Sequence, residues 1–264
     1  MYAVNYHRAK SVADAAKLGK GDAKYLSGGM TLIPAMKTRL AAPSDLVDLT
    51  HIKDLKGITV SGKTVTIGAG TTHYEVATDA KLAKACPAIV YLAGLIGDPA
   101  VRHRGTIGGS IANNDPAADY PAAMLALGAT ITTNKRSLPA DKFFKGLFET
   151  ALKDGEIVTS VSFTVPAKAG YAKFPNPASR YAMTGVFVTK GKDGVRAAVT
   201  GAGDDGVFRS KEIEAALSKK FEASALEGVK VPSGSLMEDM HASSDYRAAL
   251  ILAMAKRAVA QANA

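Results

Sequence analysis

Two glycine doublets, Gly28-Gly29 and Gly108-Gly109, restrict the shapes open to this 264-residue chain more than any other feature. Each is flanked by a serine, Ser27 before the first and Ser110 after the second. Glycine reaches positive φ and lets the backbone approach another group more closely than any side chain allows. The first doublet follows the short, half-apolar Ala23–Leu26 and precedes Thr31–Leu40, where Leu32, Ile33, Met36 and Leu40 share one side of a helix. Pro34 fits that helix only within its first turn, where a missing N–H is harmless. Free N–H groups and the positive dipole end would then face an anion such as phosphate or pyrophosphate. Taken alone, the doublet reads better as a ligand-free turn than as a site. It is neither the G-x-G-x-x-G fingerprint nor a P-loop.

The second doublet sits in a richer stretch, Arg104 to Pro121, which reads as loop over residues 104–119. It gathers Thr106, Ser110, Asn113, Asn114, Asp115 and Asp119 around the glycines. Successive N–H groups at Gly108, Gly109 and Ser110 would form an anion nest. Asp119 would accept hydrogen bonds from sugar hydroxyls, or cap a helix ahead of Pro121. Turn chemistry explains Asn113 to Pro116 but not the run from Gly105 to Ser110, so a binding role is favoured there. A third small-residue element, Ile67 to His73, also closes a strand before a helix. His73 has the residue type to titrate near neutral pH, but a lone histidine after Thr71-Thr72 is assigned no catalysis.

Between these motifs the spacing predicts short helices at Ser11–Lys17, Thr72–Thr78, Asp79–Leu95 and Pro121–Leu127, with a break at Gly97-Asp98-Pro99. Strands are predicted at Leu46–Leu49, Ile58–Val60, Thr64–Ile67, Thr130–Thr133 and, most clearly, Ile157–Val165. Pro166 to Pro177 marks a boundary or crossover. Beyond it lie strands at Gly185–Thr189 and Ala197–Gly201, then helices at Lys211–Leu217 and Tyr246–Gln261. The elements mix without regular βαβ alternation, which points to an α+β fold.

Composition narrows the function. One cysteine, Cys86, excludes an intramolecular disulfide, a Cys₄ zinc site and a self-contained iron–sulfur cluster. Aromatic residues make up only 6% of the chain, too few for a single-strand stacking platform. The net charge of +9 invites a nucleic-acid reading. The basic residues are interspersed with apolar ones, so a solvated surface, an anionic cofactor or an acidic docking partner explains them as well. No apolar run is long enough to span a bilayer and no signal-like stretch opens the chain, so a cytoplasmic location is expected.

The motifs together match a family. Ser27 to Leu40 followed by Asp45–Leu49, then Ile67 to His73, then Ile96 to Pro121, resemble three signatures of the FAD-binding medium subunits of molybdenum hydroxylases. This is the xanthine dehydrogenase, carbon monoxide dehydrogenase and aldehyde oxidase family. Glu156–Thr159, Tyr171–Phe174 and Ser179-Arg180 continue the match nearly to the chain's end. The resemblance implies a two-part α+β FAD domain of the vanillyl-alcohol-oxidase type over 1–167, with subdomains near 1–53 and 54–167. A small domain with a three-stranded sheet and a helical bundle would occupy 168–264.

The resemblance also implies site roles. Leu26, Ser27, Gly28, Gly29, Met30, Thr31 and Leu32 would wrap the FAD pyrophosphate through backbone N–H groups and the Thr31 hydroxyl. Thr106, Ile107, Gly108, Gly109 and Ser110 would hold phosphate and ribityl groups. Asn114 and Asp119 would take flavin or ribose atoms, and Ile96 would lie near the dinucleotide. Ile157 or Val158 would touch the flavin or adenine side, and Lys173 would bond near the isoalloxazine carbonyls. Met30 stands where many relatives carry a polar residue, so one side-chain contact is lost. Partners implied are an iron–sulfur small subunit with [2Fe-2S] clusters and a molybdenum-cofactor large subunit, as a dimer of heterotrimers. No nucleic acid is expected, nor any catalytic side chain or metal ligand on this chain. Two competing readings are a stand-alone flavin oxidoreductase of the same fold superfamily and a basic nucleic-acid-binding module.

Overall fold

A computed structural model describes all 264 residues. The chain opens on a strand that the residue pattern did not signal, Asn5–Arg8. It pairs in parallel with Asp45–Asp48, which also takes Lys24–Leu26 in parallel on its other side. Ser11 caps the Val12–Leu18 helix by accepting the Asp14 N–H at 3.1 Å. The core beneath this small sheet holds Ala15, Val47, Ile52 and Leu55, all buried.

A five-stranded antiparallel sheet follows, in the order Ile58–Ser61, Thr64–Gly68, Val158–Thr164, Thr130–Thr133, Ser137–Pro139. Val158–Thr164 sits at its centre, as the clearest β-branched run should. Short helices cover the sheet. The expected helix over Asp79–Leu95 is divided at Cys86-Pro87 into Ala80–Ala85 and Pro87–Gly94, because Pro87 takes a first-turn position. Residues 104–119 are not the predicted loop. Pro99–Arg104, Ile107–Asn113 and Asp119–Ala126 are helices. Glycine disfavours a helix by about 1 kcal/mol each, so local propensity argues against Ile107–Asn113. Packing prevails: a Cβ on Gly108 would lie 2.4 Å from the Ala69 Cβ.

The stretch from Pro166 to Pro177, expected to hold a boundary or crossover, contains regular structure. Lys168–Pro175 is a full strand at the edge of an antiparallel sheet with Ala182–Gly191, Gly194–Thr200 and the two-residue Phe208–Arg209. Its prolines fall at the ends, where an edge strand tolerates them. One face carries Val186, Val188, Val199 and Ala197 into a core shared with the Ser244–Asn263 helix. Gly170 lets that helix approach: a Cβ there would lie 1.9 Å from the Ala258 carbonyl oxygen. Tyr171, Phe187 and Ala198 join the larger core instead, so the third sheet is anchored to the second.

An ion pair between half-exposed Arg136 and buried Glu156 fixes the turn before Val158. Glu156 accepts from Arg136 Nε at 2.9 Å, from Thr133 Oγ1 at 2.7 Å and from the Lys153 N–H at 2.9 Å. Arg136 chiefly, with the other donors, holds the Glu156 carboxyl at about 2 despite burial. A depressed folded value adds stability above the unfolded value of about 4.5, and that stability is lost as pH falls through about 2. Urea unfolding of Glu156→Gln should therefore show a lower stability at neutral pH and a flatter decline from pH 5 to 2 than the parent chain.

Candidate functional site

The three sheets enclose a cleft of about 760 Å³, within the ~300–1,000 Å³ range of small-molecule sites. Its floor is the first glycine doublet. The loop after Lys24–Leu26 cannot continue the parallel ladder, since Asp48 ends the pairing at Leu26. Gly28 then passes so close to the neighbouring loop that a Cβ would lie 2.2 Å from the Arg104 carbonyl oxygen. Gly29 has φ +74°, which favours glycine. Ser27 Oγ and Thr106 Oγ1 meet at 2.8 Å and tie the two doublets together.

The backbone N–H groups of Ser27, Gly28, Gly29, Met30, Thr31 and Leu32 find no acceptor in the chain. All six residues line the cleft. Thr31 precedes the Leu32–Lys37 helix without a side-chain cap bond, which leaves its hydroxyl available as well. Six consecutive unpaired donors facing one space form a cradle for an anion with several oxygens.

The second doublet differs from its expected geometry. Ile107 N–H donates to Thr71 O at 3.1 Å, Gly108 N–H to Ala69 O at 2.9 Å and Ser110 N–H to Thr106 O at 3.0 Å. Gly109 N–H donates to Thr106 Oγ1 at 3.1 Å. No free nest exists there, because Thr106 caps the helix and the Ala69–Thr71 backbone takes the remaining donors. Thr106, Gly108, Gly109 and Ser110 still line the cleft, offering close backbone approach and the Ser110 hydroxyl rather than open N–H groups.

Asp119 and Lys173 close one end. Asp119 is buried; it accepts from Lys173 Nζ at 3.0 Å and from Tyr171 Oη at 2.5 Å. Burial pushes its carboxyl upward, while the Lys173 charge and the Tyr171 hydroxyl pull the other way. Lys173 Nζ also reaches Leu95 O at 3.3 Å. Ile96, Ile157 and Val158 supply apolar wall.

Three of the expected residues lie outside the cleft wall. Leu26 belongs to the strand edge, and its carbonyl accepts the Leu49 N–H at 2.8 Å. Ile107 is fully buried in the main core. Asn114 is buried, with φ 45° at the end of its helix, and its Nδ2 donates to Gly146 O and Glu149 O at 2.8 and 2.9 Å. It holds the Phe144–Thr150 hairpin. Conversely, Leu49, Leu55, Val101, Arg180 and Tyr181 line the cleft without having been singled out as contacts. Leu49, Val101 and Arg180 stood within the family match and Tyr181 adjoins it; Leu55 carries no local signal.

His73 also faces the cleft and is buried. Burial, helped by the Arg102 charge, lowers it to about 4, so the ring is neutral at pH 7. Its Nδ1 has no partner. The imidazole proton signals of His73 should stay flat between pH 5.5 and 8; a titration near neutrality would contradict this placement.

The chain is similar to known proteins along its length. Residues 2–167 match the family described as the FAD binding domain in molybdopterin dehydrogenase. The chain is 35% identical to the carbon monoxide dehydrogenase medium chain of Hydrogenophaga pseudoflava, over 96% of this chain and 95% of that one. It is 31% identical to the nicotine 6-hydroxylase medium subunit of Paenarthrobacter nicotinovorans, over 99% and 98% of the two chains. Among solved structures, reconstituted CO dehydrogenase from Oligotropha carboxidovorans superposes with a TM-score of 0.88 at 34% identity, covering 99% of this chain and 98% of that one.

Proposed function

The chain belongs to the molybdenum hydroxylase family as an FAD-binding oxidoreductase subunit, and from that membership we propose that it is the electron-transfer flavoprotein of a larger complex. A large subunit would carry the molybdenum cofactor that oxidises substrate, a small subunit would carry [2Fe-2S] clusters, and this chain would hold FAD as their electron acceptor. The assembly is a dimer of such heterotrimers. Bound FAD supplies the chemistry of accepting single electrons and releasing pairs.

The observation that carries this reading is the cradle of six unpaired N–H groups from Ser27 to Leu32. A pyrophosphate brings several anionic oxygens, and charge-assisted bonds to them are the strong kind. Gly28 and Gly108 hold the cradle and its opposite wall at backbone contact distance. Ser110 and Thr31 hydroxyls suit ribityl and phosphate oxygens. The apolar wall of Ile96, Ile157 and Val158 excludes water from planar rings. Lys173, partly compensated by Asp119, is the cation available to a ring carbonyl at that end. The side chains position and shield the cofactor, and none of them has to transfer a proton.

A stand-alone flavin reductase would need a proton donor over the ring. His73, neutral at pH 7, is unsuited to that role. The partner assignment is tested by purifying the chain from its native cells under mild conditions. Stoichiometric molybdenum and iron in the same assembly are expected; a flavoprotein of this chain alone, turning over substrate without either metal, would overturn it.

A further inference from the structure

Tyr171 is fully buried and does not line the cleft, so nothing bound there touches it. Its hydroxyl nevertheless ends on a residue that does. Tyr171 and Lys173 lie two apart in the Lys168–Pro175 strand, so both side chains leave the same face. They meet the Asp119 carboxylate from either side: Tyr171 Oη donates to Oδ1 at 2.5 Å, and Lys173 Nζ donates to Oδ2 at 3.0 Å.

A glycine keeps the place for that hydroxyl open. Gly185 stands opposite Lys173 in the neighbouring Ala182–Gly191 strand. Its backbone has no positive φ, and glycine weakens a strand interior. A Cβ there would lie 2.5 Å from Tyr171 Oη and 3.0 Å from Thr200 Cγ2. The rest of Tyr171 is fixed as well. Its N–H donates to Gln261 Oε1 at 2.7 Å, and its ring lies 5.9 Å from that of Phe187 between centroids. The hydroxyl is thereby aimed at Asp119.

Lys173 has three N–H donors. Asp119 takes one and the Leu95 carbonyl, at 3.3 Å, takes a second, which leaves the third for the cleft. How much positive charge reaches that space depends on how completely Asp119 offsets it, and in a site shielded from water the offset is large. The Lys173 ammonium and the N-terminal end of the Asp119–Ala126 helix hold Asp119 ionised. A phenol proton on Oδ1 then draws part of the carboxylate's charge away from Lys173.

We propose that Tyr171 is a positioning residue for the flavin site: by engaging Asp119 on the side away from Lys173, it leaves the Lys173 charge directed into the cleft and raises the reduction potential of FAD bound there. This rests on the reading of the cleft as an FAD site with Lys173 at a ring carbonyl. Reduction adds electrons to the ring, and a cation beside it favours the reduced form. Tyr171 touches neither cofactor nor reactant and acts only through Asp119.

The test is the midpoint potential of bound FAD, measured against reference dyes in the flavin-loaded protein. Tyr171→Phe keeps the ring and removes only the hydroxyl. Gly185→Ala keeps the tyrosine and pushes its oxygen off Asp119. Both variants should bind the reduced cofactor about tenfold less tightly relative to the oxidised one, which lowers the two-electron potential by ~30 mV. Flavin content per chain should match the parent. A merely structural tyrosine would lower stability without moving the potential, so an unchanged or raised potential in flavin-loaded Tyr171→Phe would overturn the proposal. Failure of both variants to take up FAD would overturn it too, since the hydroxyl would then serve folding. Failure of the cofactor reading is distinguishable, because the parent protein itself would lack flavin absorbance.

Discussion

Gly28→Ala should lower FAD affinity by a factor of about 100 or more, measured by flavin fluorescence titration of the purified chain. The added Cβ would lie 2.2 Å from Arg104 O, 2.6 Å from Gly105 Cα and 2.7 Å from Arg104 C. All three are backbone atoms, so no rotamer change relieves the overlap and the two loops must part. Parting them breaks the 2.8 Å contact between Ser27 and Thr106 and turns the N–H cradle away from the opposite wall. Each hydrogen bond to a charged oxygen contributes ~1.5–3 kcal/mol, so losing two lowers affinity by the stated factor. Gly94→Ala is the matched control. It has open space around it and no positive φ, and should leave affinity unchanged. Parent-like affinity in Gly28→Ala would mean that the close approach is irrelevant to binding.

Asp119→Ala should destabilise the chain by ~3–5 kcal/mol in urea unfolding, the usual consequence of stranding one member of a buried ion pair. Lys173 and Asp119 side chains are only 3% and 5% exposed, and neither can reach bulk water when its partner is removed. Tyr171 loses its acceptor in the same variant. The pair also joins the Asp119–Ala126 helix to the Lys168–Pro175 strand, so the loss is felt where two sheets meet. Asp119→Leu combined with Lys173→Met should recover most of the stability, because no charge is then left buried. It should not recover flavin affinity, since the cation at that end of the cleft is gone. Equal instability of the single and double variants would show that packing rather than charge governs this contact.

Much of the site was legible from local chemistry. The first doublet, weak on its own, was placed in the site by its resemblance to the family's first signature. The α+β class followed from elements that mix without alternating. What escaped depended on residues distant in sequence. Gly108-Gly109 looked like an open nest, but Ala69 and Thr71 claim two of the neighbouring N–H groups from nearly 40 positions away. Helical Ile107–Asn113 is hidden for the same reason: its glycines are selected by contact, not by propensity. The strand Lys168–Pro175 went unread because prolines surround it and its burial does not alternate; only its pairing with Ala182–Gly191 makes it visible. Asn114 stood in the richest motif, yet its side chain secures the Phe144–Thr150 hairpin.

The lone Cys86 takes on sharper meaning in this setting. It is buried, and burial pushes its thiol to about 11, so it is neither ligand nor nucleophile. Any iron–sulfur relay serving this flavin site has to lie outside these 264 residues.

The central claim is that the Ser27–Leu32 cradle binds the pyrophosphate of FAD. Its most direct test is a titration of the flavin-free chain with FAD, with riboflavin as the comparison ligand. The account predicts one FAD per chain, with riboflavin binding weaker by at least ~100-fold because it lacks the anion the six N–H groups address. Equal affinity for the two ligands, or no FAD binding at all, would contradict it.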